Sequence, residues 1–276
     1  MTVEMLTKHD ETPRMQRSRG AGRLSVRRVE GASRIARLYQ AGCAKLRLPK
    51  GADGLQAVMV NTSGGLTGGD QLDWDFEVAK DAALTVTSQA CERIYASLGG
   101  SAKSRITLQL ERGAQLAWLP QETILFQKGA FERSIHVEMD ADSRLLMVEP
   151  LIFGRKAMDE HVTQGHLHDR WRIRKSGKLL HAEDTRFSSN LAQIVSNRAV
   201  AGSKIAFASL LLISNDAEAL VDDARAILGR AGDASFFEGR LVARLIADDS
   251  YHLRQRLTPL INLFNHGTPL PKVWTL

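Results

Sequence analysis

The chain has 276 residues, 43% of them hydrophobic, which suits a globular protein with a sizeable core and excludes a disordered one. Its two cysteines, Cys43 and Cys91, are too few for a disulfide framework and lack CxxC spacing, which favours a reducing compartment. The longest apolar run, residues 205–213, is too short to cross a membrane, and the N-terminus lacks the apolar core of a secretory signal. We therefore expect a cytoplasmic protein without membrane contact.

The formal net charge of +6 is concentrated at the N-terminus. Residues 1–28 contain seven Lys or Arg and three acids, which leaves +2 for the rest of the chain. A duplex-binding face needs clustered cations, and none is visible outside this segment, so no nucleic-acid partner is predicted. We interpret residues 1–22 as a basic, disordered tail and residues 23–276 as a single domain.

From the first strand patterns onward, the clearest feature is an internal repeat. Each copy alternates apolar and polar residues, passes through a short polar turn, and reaches a leucine eight residues after its start. The starts lie 32, 29 and 34 residues apart. The four copies are FEVAKDAALTVTSQA from Phe76, LQLERGAQLAWLPQE from Leu108, VEMDADSRLLMVEPL from Val137 and WRIRKSGKLLHAEDT from Trp171.

The repeat predicts a mainly β fold. Alternation places every second residue of a strand on one face, and the Gly, Asp and Ser of the turns allow the chain to reverse. One hairpin cannot bury its apolar face alone, so we expect repeated β-hairpins stacked as a solenoid-like or two-sheet single domain. A weaker fifth copy begins at Leu46.

The last quarter of the chain changes to helical periodicity. Apolar residues of NDAEALVDDARAIL, from Asn215, recur at helical spacing, and Gly229 follows as a stop signal. A second helix is predicted over 250–265, with Leu253, Leu257, Leu260, Ile261 and Phe264 on one face. We therefore expect two α-helices near the C-terminus.

The stretch NTSGGLTGGD, residues 61–70, resembles a phosphate-binding loop only in its glycines. No lysine follows them, and the next segment, LDWDFEV, alternates like a strand and exposes three acids. A phosphate site needs a cation or a helix N-terminus at this point. We expect instead that the glycines permit positive φ and close backbone approach.

Residues that could carry chemistry are scattered. His166 and His168 would share one face of a strand and could contact a divalent metal, although a tight site needs more ligands. Glu149 follows an apolar run and has no paired acid nearby in sequence. Cys91 is either reactive or, more commonly for such a position, a small buried thiol. No G-x-S-x-G nucleophile motif is present.

Four segments occur in one order: GGLTGGD, LTVTSQACERIY, GAQLAWLPQETILF and LLMVEPLIFGRKAMDE. Together they resemble the UreD (UreH) family of urease accessory proteins, from about Arg23 to the C-terminus. The last segment contributes Glu149, Gly154, Arg155 and Glu160, and the ending PKVW is similar to the final strand of the family. Arg93 stands where the family often has lysine.

The resemblance implies a non-enzymatic nickel-insertion chaperone. Members of this family are all-β with a few helices, and they bind the urease apoprotein and the helical accessory protein UreF, which recruits the GTPase UreG. No tightly bound cofactor is expected, and Ni²⁺ would be in transit through an internal passage. Oxygen ligands hold Ni²⁺ loosely enough to release it. Our candidates for this path are Asp70, Glu149, Glu160, His166 and His168.

Two other classes of function stay open at this stage. A β-solenoid hydrolase would use Glu149 or Glu160 as an acid and would need two carboxylates converging in a cleft. A nucleic-acid binder would use the basic tail and would show steep salt dependence.

Overall fold

Two β-sheets face each other in the structure, a computed structural model that describes residues 16–50, 54–158 and 160–275. The predicted basic tail falls largely on residues 1–15, which lie outside the described residues. In sheet A the strands follow the order β14 (Lys178–Asn190), β13 (Gln164–Lys175), β11 (Ala130–Met139), β8 (Ala102–Leu110), β5 (Gln71–Val78), β1 (Arg19–Val29) and β2 (Ala32–Gly42).

Sheet B faces sheet A. Its order is β16 (Gly232–Phe237), β17 (Arg240–Ala247), β15 (Ala206–Ile213), β12 (Arg144–Phe153), β9 (Gln115–Leu119), β6 (Ala83–Ser88), β4 (Gln56–Asn61) and β3 (Ala44–Arg47). Two short strands, β7 (Glu92–Ile94) and β10 (Thr123–Leu125), join it through β12.

The repeated units stack as the sequence predicts. The first strands of successive units run parallel in sheet A, where Phe76 is in register with Leu108 and Leu108 with Val137. Their second strands run parallel in sheet B, where the repeat leucines Leu84, Leu116 and Leu145 form a ladder. The mainly β, solenoid-like two-sheet fold is therefore confirmed.

Pairing within a unit differs between the first three copies and the fourth. In the first three, the two strands belong to opposite sheets and do not pair with each other. The fourth, β13–β14, is a hydrogen-bonded antiparallel hairpin. Its turn residues Ser176 and Gly177 have φ of 50° and 75°, as a tight two-residue hairpin turn requires.

The fourth unit is also displaced in register. Val137 pairs with Ile173, and Trp171 pairs with Ile135, two residues from the alignment that the sequence suggests. The weaker fifth copy at Leu46 is a short antiparallel hairpin of β3 and β4 within sheet B.

The core lies between the sheets and continues behind sheet B. Phe76 of sheet A meets Trp118 of sheet B edge-on at 5.8 Å between ring centroids. Helices α2 (Val221–Leu228) and α3 (Ser250–Phe264) cover the other face of sheet B, and all five apolar residues predicted for the last helix are buried. Helix α1 (Leu191–Ser196) instead packs against β13 and β14 of sheet A.

Both predicted C-terminal helices are confirmed, and their ends have identifiable causes. The Asp249 carboxylate accepts the His252 backbone N–H at 2.9 Å and caps α3. Gly229, with φ of 55°, ends α2. The family-like ending PKVW is not a strand; residues Lys272–Trp274 form a 3-10 turn. None of the helices described in residues 16–50, 54–158 and 160–275 is long and apolar enough to cross a membrane.

Candidate functional site: a charged cluster between the sheets

A cluster of charged side chains lies between the two sheets, centred on Arg133. This arginine occupies an inward position of β11, between the buried residues Phe131 and Ile135. Its Nε and one terminal nitrogen donate to the two oxygens of Asp169 at 3.0 and 2.5 Å, and its other terminal nitrogen donates to Glu149. The result is an arginine shared between two carboxylates.

Two tryptophans complete the hydrogen bonding of the carboxylates. Trp118 Nε1 donates to Glu149 Oε1 at 2.7 Å, and Trp171 Nε1 donates to Asp169 Oδ1 at 3.2 Å. Arg133, Glu149 and Asp169 are each no more than 9% exposed. Buried charges need such partners, since each unpaired one would cost several kcal/mol.

The cluster carries more negative than positive charge, and its pKa values reflect this. Burial raises the pKa of Glu149 well above its usual range, with a further contribution from the charge of Asp169, and Arg133 opposes the shift only in part. For Arg133, burial would lower the pKa, but the two carboxylates outweigh it and raise the pKa. Glu149 is therefore the member that can gain or lose a proton near neutral pH.

Two cavities meet at this cluster, and Arg133 and Glu149 line both. The first, of about 260 Å³, reaches Gly64 and Gly65 of the glycine-rich stretch 61–70 and is also lined by Trp118, Cys91 and Glu92. The second, of about 390 Å³, is lined mainly by residues of β13, β14, β15 and β17. The charged cluster therefore lies where the linings of two interior cavities meet.

Each cavity contains a further carboxylate. In the first, Glu92 accepts a hydrogen bond from Asn61 Nδ2 at 3.0 Å, and burial raises its pKa to about 7. In the second, Glu183 accepts from Ser209 Oγ at 3.1 Å and lies 3.2 Å from a terminal nitrogen of Arg244. Glu92, Glu149 and Glu183 thus place carboxylates in the first cavity, at the junction and in the second cavity.

A buried histidine lies beside Glu183. His181 Nε2 is 3.6 Å from Glu183 Oε2, and both side chains are less than a tenth exposed. Burial would raise the pKa of Glu183, but His181, Arg244 and Ser209 outweigh it and lower that pKa. Glu183 is therefore an ionised carboxylate in the second cavity.

Cys91 lines the first cavity as a protonated thiol. Its sulfur lies 3.2 Å from Glu122 Oε2, and burial, followed by the charge of Glu122, raises its pKa to about 12. A thiol with such a pKa is a poor nucleophile and a poor metal ligand. Of the two sequence interpretations, a reactive thiol or a small buried one, the raised pKa disfavours the first, and Cys91 is half-buried.

The predicted site residues do not converge. Only Glu149 belongs to the charged cluster. Glu160 pairs with Arg155, Nε to Oε2 at 2.7 Å. His166 and His168 lie outward on β13, where His168 Nε2 is 3.1 Å from Asp184 Oδ1. Within the described ranges, no group of three or more His, Cys, Asp or Glu side chains could hold a metal ion.

Asp70 closes the glycine loop, residues 62–70. Its two carboxylate oxygens accept the backbone N–H groups of Ser18 and Thr67, each at 2.8 Å. The glycines of this loop adopt positive φ or allow close backbone approach, as the sequence predicts. Gly65 has φ of 145°, and a Cβ on Gly68 would lie 2.4 Å from the Gly99 carbonyl oxygen. The loop leads into strand β5, so it has no helix N-terminus for a phosphate.

Sequence reasoning missed most of the cluster, although a signal was present. Arg133 and Asp169 both stand at inward positions of alternating strands, between apolar neighbours. A charged residue at such a position predicts a buried ion pair. Glu183 carries a weaker signal because its strand, β14, lies at the sheet edge.

The fold and the cluster define a class: a two-sheet β protein of stacked parallel units, with a charged cluster between two interior cavities. The UreD urease accessory protein family matches residues 18–275, nearly the whole chain. The chain therefore belongs to the UreD family.

Curated relatives agree over almost their full length. "Urease accessory protein UreD" of Mesorhizobium japonicum is 46% identical over 269 residues, covering 96% of each chain. "Urease accessory protein UreD 1" of Brucella abortus biovar 1 is 46% identical over 267 residues, covering 95% of each. "Urease accessory protein UreD" of Agrobacterium fabrum is 44% identical over 264 residues, covering 95% of this chain and 93% of the relative.

Proposed function

We propose that this protein is a nickel-insertion scaffold for urease, acting in the cytoplasm without catalytic turnover of its own. In this proposal it binds the urease apoprotein and, through UreF, links it to the GTPase UreG. Support comes from membership of the UreD family over residues 18–275 and from relatives named as urease accessory proteins. The structural observation that carries the nickel role is the pair of cavities meeting at Arg133 and Glu149.

Nickel would pass along an interior route between the two sheets, marked by the carboxylates Glu92, Glu149 and Glu183. Oxygen ligands suit a transit path because they bind Ni²⁺ more weakly than thiolates or several imidazoles would. Arg133 contributes by neutralising part of the negative charge at the junction. An entering cation is therefore attracted to the carboxylates but is not bound so tightly that it cannot leave. Since Glu149 has a raised pKa, passage of Ni²⁺ would be accompanied by loss of its proton.

Of the five sequence candidates, Glu149 is the one that we retain on this path. Neither Asp70 nor Glu160 lines either of the two cavities, whereas Glu149 lines both. His166 and His168 lie on the outer face of sheet A, away from both cavities. A role for these four in nickel contact stays a prediction that only metal-binding measurements can test.

The hydrolase alternative gains no support from the geometry. Glu149 and Glu160 are held by different arginines, Arg133 and Arg155, and do not form an acid–base pair. Asp169, the carboxylate that does lie beside Glu149, shares the same arginine through both of its oxygens. A catalytic pair would need one carboxylate free to meet a substrate.

Reconstituted urease activation tests the proposal. Urease apoprotein, UreF, UreG, GTP, bicarbonate and Ni²⁺ are combined with and without this protein, and urease activity is measured. We expect activation to depend on this protein and all three proteins to co-purify with it. Activation that is equal without it, or failure of the folded protein to bind either the apoprotein or UreF, would contradict the proposal.

Paired variants test the route separately from the scaffold. Glu149→Gln combined with Glu183→Gln removes two carboxylates of the route, and Glu132→Gln combined with Glu138→Gln removes two from the outer face of β11. We expect the first pair to retain the complex but to activate urease several-fold less. The second pair should behave as the wild type. Equal urease activation by both pairs of variants would be compatible with the scaffold role but would exclude nickel transit along the route.

A further inference from the structure

Strand β2 is an open edge of sheet A. It is 11 residues long, hydrogen-bonds to β1 on one side, and ends the strand order of the sheet. An edge strand of this length offers a row of unpaired backbone N–H and C=O groups, which is a template for another extended segment.

The two faces of β2 differ in chemistry. On the inward face, Ile35 and Leu38 are opposite the buried residues Val26 and Leu24 but are themselves 43% and 41% exposed. Sheet B ends at the four-residue strand β3 and does not cover them. The inward face of β2 is therefore an apolar surface that adjoins the core but stays partly exposed to solvent.

The outward face of the same edge is basic. Arg37 is opposite Ser25, and Arg34 is directly opposite Arg27. Within the described residues, none of these three arginines forms an ion pair, whereas the nearby acids Asp73 and Asp75 are paired with Arg105 and Arg23. Like charges directly opposite each other are unfavourable, and carboxylates supplied from outside would relieve them.

We propose that β2 is a docking site for an extended segment of a partner protein that alternates carboxylate and apolar side chains. The segment would add a strand to sheet A, placing its carboxylates beside Arg34 and Arg37 and its apolar side chains beside Ile35 and Leu38. A second copy of this chain does not fit, because pairing two β2 strands would bring the arginines of both copies onto one face. The segment's alternation follows from the period of a strand, and a β-bulge that skips Ala36 in the pairing with β1 brings Arg34 and Arg37 onto one face of β2.

Fluorescence anisotropy with synthetic peptides tests this site on the full-length protein. The probe is a labelled peptide as long as β2, 11 residues, alternating Glu and Val. The comparison peptides replace Glu by Lys, or carry N-methyl groups on alternate backbone nitrogens. We expect the Glu peptide to bind with a Kd of about 1 mM or tighter, and both comparison peptides to bind at least about tenfold more weakly.

Charge reversal locates the site. Arg34→Glu combined with Arg37→Glu should weaken binding of the Glu peptide by at least about tenfold and create binding of the Lys peptide. The matched control reverses two exposed arginines elsewhere, Arg170→Glu with Arg198→Glu, and should leave both affinities unchanged. Circular dichroism and thermal melting verify that both variants fold as the wild type does.

Each other outcome overturns the proposal. No binding of the Glu peptide, or equal binding after N-methylation or after reversal at Arg34 and Arg37, excludes strand addition at β2. A concentration-dependent dimer abolished by that reversal would identify a second copy as the occupant. Tighter peptide binding after removal of residues 1–15 would identify the chain's own N-terminal segment as the occupant.

Discussion

Arg133 and Arg105 lie on adjacent strands of sheet A but on opposite faces. Arg105 is in register with Ser134, the residue next to Arg133. Inside, the Arg133 side chain is 9% exposed and is held by Glu149 and Asp169. Outside, the Arg105 side chain is 69% exposed and pairs with Asp73 at 3.2 Å. The same residue type therefore makes an obligatory contact on one face and a dispensable one on the other.

The difference follows from solvation. Water screens the outer pair and compensates for its loss, whereas the inner cluster has no solvent to replace a missing partner. Buried ion pairs of this kind often add little net stability compared with a well-packed apolar core. Net stability therefore does not account for this cluster, which lies beside two cavities.

The largest expected effect is that of removing Arg133. Arg133→Met leaves Glu149 and Asp169 buried without their cation, and we expect a loss of about 3–5 kcal/mol in the free energy of unfolding. Arg105→Met is the matched control and should cost less than about 1 kcal/mol. Urea denaturation at pH 7 measures both. Similar losses of unfolding free energy for the two variants would show that burial does not determine how much each arginine contributes to stability.

Two glycines, Gly68 and Gly99, show a similar difference between an enclosed and an open position of the backbone. A Cβ on Gly68 would lie 2.0 Å from Ser97 Oγ and 2.4 Å from the Gly99 carbonyl oxygen, whereas a Cβ on Gly99 meets nothing within 4 Å. Gly68→Ala should therefore destabilise the protein by about 1–3 kcal/mol, and Gly99→Ala by much less. Thermal melting of the two variants measures the difference. A Gly68→Ala protein as stable as Gly99→Ala would contradict the enclosed geometry of the glycine loop.

The pH dependence of stability should change when Glu149 is replaced. Because its pKa is raised on folding, the folded state holds this proton more tightly than the unfolded state, so stability falls as the pH rises above the ordinary value of 4.5. Glu149→Gln removes that decline and should gain about 1–3 kcal/mol relative to the wild type between about pH 5 and about pH 8. Urea denaturation across this range measures it.

For Glu160 we expect the opposite dependence of stability on pH. Its pKa is lowered, chiefly by the hydrogen bond from Arg155, so its contribution is present above pH 4.5 and is lost as the pH falls through the lowered pKa. Glu160→Gln should therefore be less stable than the wild type near neutral pH and approach it in acid. Identical pH profiles for Glu149→Gln and Glu160→Gln would refute the assignment of raised and lowered pKa values.

The smallest effect belongs to the outer pair. A double-mutant cycle of Arg105→Ala and Asp73→Ala should give a coupling energy below about 0.5 kcal/mol, decreasing further in added salt. Urea denaturation of the four proteins gives this value. A coupling of several kcal/mol would place the outer pair in the same class as the inner cluster.

Local patterns in the sequence predict the strands, the turns and both C-terminal helices. Alternation around Phe76 or Val137 identifies an inward face, and the spacing of Leu84, Leu116 and Leu145 identifies the stacking. Neither pattern shows whether the two strands of a unit pair with each other or enter opposite sheets, because both arrangements bury the same residues. That choice depends on contacts between units distant in the sequence.

The site is harder to predict than the fold. Glu149 was identifiable from its apolar surroundings, but its partners Arg133 and Asp169 lie on other strands, and the cavities arise from the spacing of the two sheets. Asp70, by contrast, looked like the one cation-binding residue of the glycine loop, although its oxygens are occupied by backbone N–H groups. Which carboxylate lines a cavity is set by tertiary structure.

The most direct test of the interior route is to block it. Ser209 lines the second cavity beside Glu183, whereas Ser235 lies exposed on another strand of sheet B. Ser209→Phe and Ser235→Phe are compared for folding, for binding of urease apoprotein and UreF, and for nickel-dependent urease activation. We expect both variants to fold and bind, and activation to fall several-fold for Ser209→Phe alone. Full activation by a folded Ser209→Phe protein would contradict passage of nickel between the sheets.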